Sequence, residues 1–381
     1  MADELAEVLF VPELPEELTA DWIRQAIGWP VASVEREILG QGVGFLGDIV
    51  RLRLTSEDPL VPPSVIAKLP KKENRTAGEM LGVYEREIMF FQDLASCVPA
   101  RTPTIHFSHF DRDKGSENQK PILRAFDAMP GFMTPLIGWF GARVAGGKQR
   151  RYLLIMEDMG DLEVGDQWAG ASATQVELAL KNIAPTHRAF WGSGKLSELF
   201  WLLPMDIDAR MRAGMFRVSL RAWRANASEA FGQRLDWIDR QGAALMRRFV
   251  AEAPATLVHN DLRLDNVCFA ADHCAYLDWQ MARCGPAAYD VAYLIGGALS
   301  ADVSHADEKA LVREYHRTLD VAEHAFETFW RDYQRALMLT AVSIVPTPDI
   351  EIDEGRGMEM MDRWRERLTA RLIHVGEDAL H

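Results

Sequence analysis

Residues 257–270, LVHNDLRLDNVCFA, constrain the fold more than any other stretch. Two apolar pieces, 257–258 and 267–269, enclose His259, Asn260, Asp261, Arg263, Asp265 and Asn266. Polar groups taken into a core are costly unless they are paired, so such a cluster needs a purpose. After 267–269, AADH reads as a turn, and an apolar run returns before Asp278. In an antiparallel hairpin the outer ends lie about 5 Å apart. Asn266 and Asp278 then meet, with Asp261 on the loop leading in. Two carboxylates and an amide suit a hard cation such as Mg²⁺. A carboxylate outside the metal shell can accept a proton from a hydroxyl. These are the parts that phosphoryl transfer needs.

A second motif is GQGVGFLGD, a G-x-G-x-x-G at Gly42, Gly44 and Gly47. A dinucleotide fold needs a helix directly after it, whereas DIVRLRLT alternates as a strand. No GxxxxGK[ST] occurs, which excludes a Walker loop. About 20 residues on stands Lys68, in the apolar strand VIAKLP. A glycine hairpin over phosphates with a strand lysine below is the protein-kinase arrangement. Lys68 needs a partner if buried. A helix is expected over 76–96, with Leu81, Tyr84, Ile88, Phe91 and Ala95 on one face. At about 100° per residue, Glu87 falls inside the apolar arc, Glu85 just past its edge, and Glu79 on the far side. Glu87 is therefore the expected partner, with Glu85 second.

The strand LLIMEDMG leaves the first half of the chain. In a kinase, backbone near Glu157, Asp158 and Met159 would meet the adenine edge. His187, within the apolar stripe of its helix, reads as a buried structural histidine, and His259 as a brace for its loop. Asp290 reads either as a partner of loop backbone or as a helix-start charge.

The remaining organisation is α+β, then mainly α. A short helix is expected over 16–28, capped by Thr19 and stopped by Gly28. Strands follow at 31–39, 48–55 and 65–70. Residues 111–150, rich in Gly, Pro and charge, show no clear period and read as a possible insertion. Helical patterns recur near 173–191, 206–250, 287–299, 307–322, 323–344 and 356–373. The expected division is 1–158 for a nucleotide-binding lobe and 159–381 for a helical lobe with catalytic loop and acceptor site.

The 381 residues carry a net charge of −14, which disfavours nucleic acid and anionic membranes as partners. The N-terminal MADELAEVLF lacks a basic n-region, so no signal peptide is expected. Apolar runs are too short to span a bilayer. Of the four cysteines, 97, 268, 274 and 284, three sit among apolar neighbours and read as buried thiols. A cytoplasmic location follows as an expectation.

H-x-D-x-x-x-x-N at His259, Asp261 and Asn266, followed by YLDWQ with Asp278, resembles the aminoglycoside phosphotransferase and choline kinase superfamily. QGVGFLGDIVRLRL, YEREIMFF, LLIMEDM, IAPTHRAFW and LDWQMARCGPAAYDVAYL look most like its ecdysteroid-kinase-like (CHK-like) branch. The similarity runs from about residue 18 to about 345. It implies a bilobal protein-kinase-like fold that uses ATP and Mg²⁺ to phosphorylate a hydroxyl on a small molecule. Carried over, Gly42 to Gly47 would cover the phosphates, Lys68 would hold them, and Glu87 would position Lys68. Asp261 would be the base, and Asn266 and Asp278 would bind metal. Asn260 stands where many relatives have Gly, and DWQ replaces DFG, which argues against a protein substrate.

Two other readings follow. A non-catalytic, pseudokinase-like nucleotide binder would be expected to lack a key residue, and none is missing. An antibiotic-modifying kinase would need acidic groups for a polycation, which PDIEIDEG (348–355) permits. The tryptophans and methionines lean instead toward an apolar alcohol.

Overall fold

The computed structural model describes residues 10–39, 47–72, 75, 78–79, 82–112, 119–129, 150–224, 227–343 and 356–380. Strands β1 (Val31–Leu39), β2 (Gly47–Ser56), β3 (Ser64–Pro70), β4 (Ile105–Phe110) and β5 (Tyr152–Glu157) form one antiparallel sheet, in the order β1-β2-β3-β5-β4. Strand period decides its two faces. Val50, Leu52, Val65, Ala67, Leu69, Leu153 and Ile155 are buried on one side. There they meet Trp22 and Ile23 of helix α1 (Ala20–Ala26). Thr19 caps α1 by accepting from Trp22 N at 3.1 Å, and Gly28 beyond its end is left-handed. Lys68 alternates with Ala67 and Leu69, and so belongs to the opposite face with Leu154 and Met156.

Helix α2 (Val83–Asp93) packs on that face. It is shorter than the expected 76–96, and Leu81 lies outside the described residues. Its buried positions are Val83, Glu85 to Phe90 and, just beyond, Leu94, while Tyr84, Phe91 and Ala95 are only half-buried. The reason is that α2 is covered from two sides. Phe90 faces away from solvent onto Trp279, with ring centroids 4.3 Å apart and planes 5° from parallel.

Strand β4 has no counterpart in the sequence reading. It lies on the sheet edge and mixes His and Ser with its apolar residues, so it lacks the strict alternation of a strand with one dry face. Helix α3 (Gln119–Ala128) forms inside the stretch that shows no period. Although it precedes residue 158, it docks on the helical half. Asp127 accepts from Arg210 N at 2.7 Å, and Lys120 donates to Leu199 O at 2.6 Å.

The rest is mainly helical: α4 (Ala173–Ala189), α5 (Lys195–Glu198), α6 (Ala209–Arg224), α7 (Glu229–Glu252), α8 (Ala288–Ala298), α9 (His305–Leu319), α10 (Phe326–Ser343), α11 (Arg356–Leu372) and α12 (Glu377–Leu380). Every residue of α8 is buried, as its nearly unbroken apolar sequence demands. Short strands carry the loops of interest. Strands β8 (Val267–Phe269) and β9 (Cys274–Tyr276) form the expected hairpin, and β6 (Glu163–Val164) adds to β8. Strand β7 (Ala255–Val258) pairs with β10 (Arg283–Pro286). No helix among the described residues is long and apolar enough to cross a membrane.

Cys268 and Cys274 are buried, and Cys97 is exposed. Burial pushes the Cys268 thiol up to about 11 and the Cys274 thiol up to about 12. The thiolate is the reactive form. Iodoacetamide at pH 7–9 should therefore label native protein at Cys97 and spare Cys268 and Cys274, which peptide mass spectrometry will show. Denatured protein should be labelled at all of them.

Candidate active site

Lys68 is placed by β3, where it pairs in register with Leu154 of β5 and Ile49 of β2. Its ammonium meets Glu87 Oε1 at 2.7 Å and Oε2 at 2.9 Å, and Asp278 Oδ1 at 3.0 Å. Glu85, the second choice, is held elsewhere by Arg150 and by Tyr152 Oη. Glu79 pairs with Arg75 at 3.3 Å. Burial pulls the Lys68 ammonium down, but Asp278 and Glu87 outweigh it and the net shift is upward. Burial raises Glu87 to about 7 despite Lys68, while Lys68 holds Asp278 below its ordinary value against the same effect. One cation thus serves two carboxylates unequally.

Asn266 and Asp278 are brought together as the hairpin requires. Val267 faces Tyr276, and Leu277 N donates to Asn266 O at 2.9 Å. Asn266 Nδ2 donates to Asp261 O at 2.9 Å and lies 3.3 Å from Asp261 Oδ2. The amide oxygen of Asn266, not its nitrogen, is therefore the end offered to a cation. Asp261 also accepts from Tyr293 Oη at 2.8 Å, and Arg263 Nε lies 3.7 Å from its Oδ2. Burial raises the Asp261 carboxyl; Arg263 opposes this and Asp278 adds to it. Among the described residues no three His, Cys, Asp or Glu side chains form a metal cluster. A Mg²⁺ bound mostly by phosphate and water needs only one or two protein carboxylates, so Asn266 and Asp278 fit it by their chemistry.

The loop is held from behind. Asp290, on α8, accepts from His259 N at 2.7 Å and from Asn260 N at 2.8 Å. Its Oδ2 also meets His187 Nε2 at 3.1 Å, and His187 Nδ1 meets Tyr315 Oη at 2.6 Å. His259 Nε2 contacts Leu277 O at 2.7 Å, tying the loop to the hairpin. Gln167 accepts from Leu264 N at 2.8 Å and donates to Gly297 O at 2.7 Å. Asp265 accepts from Gln167 N at 2.9 Å.

Two of the three non-glycine residues with positive φ among those described lie here: Asn260 at 65° and Asp278 at 60°. Left-handed backbone favours Gly and tolerates Asn or Asp. Asn260 is thus a residue that this backbone conformation tolerates.

Gly42 and Gly44 lie outside the described residues. Gly47 opens β2 opposite Pro70, and a Cβ there would come 3.2 Å from Leu69 O. At the other end of the sheet, Glu157 accepts from Thr104 N and Arg101 Nη2, each at 3.0 Å. Asp158 takes Arg51 Nε and Ser64 Oγ, both at 2.7 Å. Met159 is buried. The carboxylates of 157 and 158 are therefore committed to the sheet and its neighbours, which leaves backbone as the means of any contact from this segment.

Tyr293, Gln167 and Arg263 were not singled out from the sequence. Gln167 and Tyr293 act across 97 and 32 residues. Arg263 was visible only as one of several polar groups in the loop.

Sheet, paired lysine and acidic hairpin together define a kinase-like phosphotransferase architecture. The profile of the phosphotransferase enzyme family (APH) matches residues 142–330. That match spans 189 of the 381 residues, and over it the chain is similar to this family. Among solved structures, the microcompartment-associated aminopropanol kinase is similar at 12% identity and a TM-score of 0.50, covering 94% of this chain and 100% of its own. Choline kinase LicA from Streptococcus pneumoniae shows 13% identity and a TM-score of 0.46, covering 92% and 96%. An ADP-bound aminoglycoside phosphotransferase shows 10% and 0.45, covering 92% and 97%. At 12% identity the likeness to the aminopropanol kinase concerns the fold alone. No curated protein matches the sequence.

Replacing Asp290 by Ala should leave two buried backbone N–H groups without their acceptor. The expected loss is roughly 2–5 kcal/mol, read as a lower melting temperature. Asp290→Asn, which keeps one acceptor oxygen, should lose less.

Proposed function

We propose that this protein is an ATP- and Mg²⁺-dependent phosphotransferase whose acceptor is a hydroxyl group on a small molecule. The observation that carries the reading is Lys68. One ammonium joins Glu87 to Asp278, and Asp278 is close enough to Asp261 to raise its pKa. We assign the chain to the ecdysteroid-kinase-like branch on the motifs quoted above. We also take residue 158 as the end of the N-terminal lobe, with α3 reaching across to the other.

In this reading Lys68 holds the α- and β-phosphates, and Glu87 fixes Lys68. The glycines 42, 44 and 47 cover the phosphates, and the backbone of 157–159 meets the base. Asn266 and Asp278 would hold Mg²⁺, which would supply charge neutralisation to the nucleotide phosphates. Asp261 accepts the proton of the acceptor hydroxyl. The hydroxyl oxygen bonds to the γ-phosphorus as the bond from that phosphorus to the β–γ bridging oxygen breaks, and ADP departs with the electron pair. Tyr293 and Arg263 orient the Asp261 carboxylate and oppose the upward pull of burial on it.

The test is single-turnover transfer of labelled γ-phosphate to a screened alcohol. Asp261→Ala should reduce it roughly 10²–10⁴-fold, and Asp278→Ala should abolish the thermal shift that Mg·ATP gives the wild type. Unchanged turnover in Asp261→Ala rules out base catalysis by that residue. Mg·ATP binding with no transfer to any alcohol would favour a nucleotide sensor.

A further inference from the structure

Helix α11 reaches the Asp261 carboxylate by two routes. The first starts at Arg367, which is 6% exposed. Its Nη1 donates to Gln167 O at 2.7 Å and to Gly297 O at 3.1 Å, and its Nη2 donates to Trp168 O at 2.9 Å. Gln167 N in turn donates to Asp265 Oδ1 at 2.9 Å, and its side-chain oxygen accepts from Leu264 N at 2.8 Å. The other oxygen of Asp265 accepts from Arg263 Nη1 at 3.0 Å, and Arg263 Nε lies 3.7 Å from Asp261 Oδ2. Each link is a hydrogen bond or an ion pair, and the last falls on one oxygen of the base.

The second route starts at Trp364, on the turn of α11 that precedes Arg367. Its ring meets that of Tyr293 edge-on, with centroids 5.5 Å apart and planes 89° from parallel. Tyr293 Oη donates to the other oxygen, Asp261 Oδ1, at 2.8 Å. One helix thus stands behind both carboxylate oxygens. Its close approach depends on two glycines. A Cβ at Gly297 would come 2.6 Å from Trp364 Nε1 and 3.0 Å from Gln167 Nε2. A Cβ at Gly170, whose φ is +82°, would come 2.6 Å from Arg367 Nη2. Anchorage of the helix does not require these contacts. Met360, Met361, Leu368 and Leu372 of α11 already lie in the core, and Arg371 Nη2 donates to Ser300 O at 2.6 Å. A carboxylate that must take a proton is more demanding, because a misplacement of about 1 Å can cost about 10²-fold in rate.

We propose that Arg367 and Trp364 are positioning residues of the transfer reaction. Arg367 fixes one oxygen of Asp261 through Gln167, Asp265 and Arg263, and Trp364 fixes the other through Tyr293. This deepens the kinase reading and rests on it. Each residue acts through another and takes no part in the bonds made and broken.

The test is single-turnover transfer from γ-labelled ATP with saturating Mg²⁺, using the alcohol that the wild type phosphorylates fastest in the screen above. Arg367→Gln should lower the rate roughly 10-fold or more, with little change in KM for ATP. Arg367→Lys, which keeps a donor, should recover part of the loss. Arg263, Asp278, His259 and Tyr293 all act on the charge of Asp261, and of these Arg263 is the one that Arg367→Gln releases. The acid limb of the pH–rate profile should therefore move to higher pH. In an Asp261→Ala background Arg367→Gln should have no further effect, since its action passes through that carboxylate. Arg371→Gln, one turn further along α11, removes a buried bond that does not lead to the base. It should lower the melting temperature and leave the rate of the folded protein at the wild-type value. Trp364→Leu acts through Tyr293 and serves where Arg367→Gln fails to fold. An unchanged rate and pH profile in the folded variants, or equal losses in Arg367→Gln and Arg371→Gln, overturns the inference and leaves the kinase reading intact. Absence of Mg·ATP binding to the wild type, or binding without transfer to any alcohol, overturns both.

Discussion

The ammonium of Lys68 is the contact on which the arrangement depends. It lies on the inner face of the sheet and joins Glu87, 19 residues away, to Asp278, 210 residues away. In low-dielectric surroundings an unpaired ammonium is very costly, and removing one partner of a buried pair costs more than the pair contributes. The sheet, α2 and the hairpin must therefore stay in register with one another. Two contacts of different chemistry support the same seam: the Phe90–Trp279 stack and the Arg86 bond to Gln280 O.

The polar stretch after β7 is tolerated between two pieces of core because much of its backbone is held, while His259 Nδ1 and the Asn260 side-chain amide have no hydrogen-bond partner among the described residues. Asp290 takes its first two backbone N–H groups, Gln167 takes that of Leu264, and Asn266 closes back on Asp261. What this support leaves is a carboxylate, Asp261, raised by burial and accepting from Tyr293 Oη. The left-handed backbone at Asn260 and Asp278 is strain that such a closely determined loop can sustain.

Much of this was legible in the chain itself. The turn AADH between two apolar runs implied the β8–β9 hairpin, and so the meeting of Asn266 with Asp278. The position of Glu87 within an apolar helical arc pointed to Lys68, although α2 is shorter and more deeply buried than its period implied. Strand β4 was not legible, because an edge strand has no dry face to enforce alternation. Helix α3 was obscured by its setting among Gly, Pro and charge, and its docking on α6 depends on Asp127 reaching backbone 83 residues on.

The sequence alone determined which chemistry is available: a lysine in an apolar strand, glycines before it, and an acidic hairpin behind a polar loop. Those are local patterns, and local spacing suffices to read them. Only the tertiary structure decided which groups share a charge and which support the loop. Asp158 is committed to Arg51 and Ser64, Asp290 faces the loop backbone, and Arg212 and Arg283, from distant elements, share Asp208. Such pairings are set by how helices and strands stack. Coulomb and desolvation energies depend on distances in space that spacing along the chain does not record.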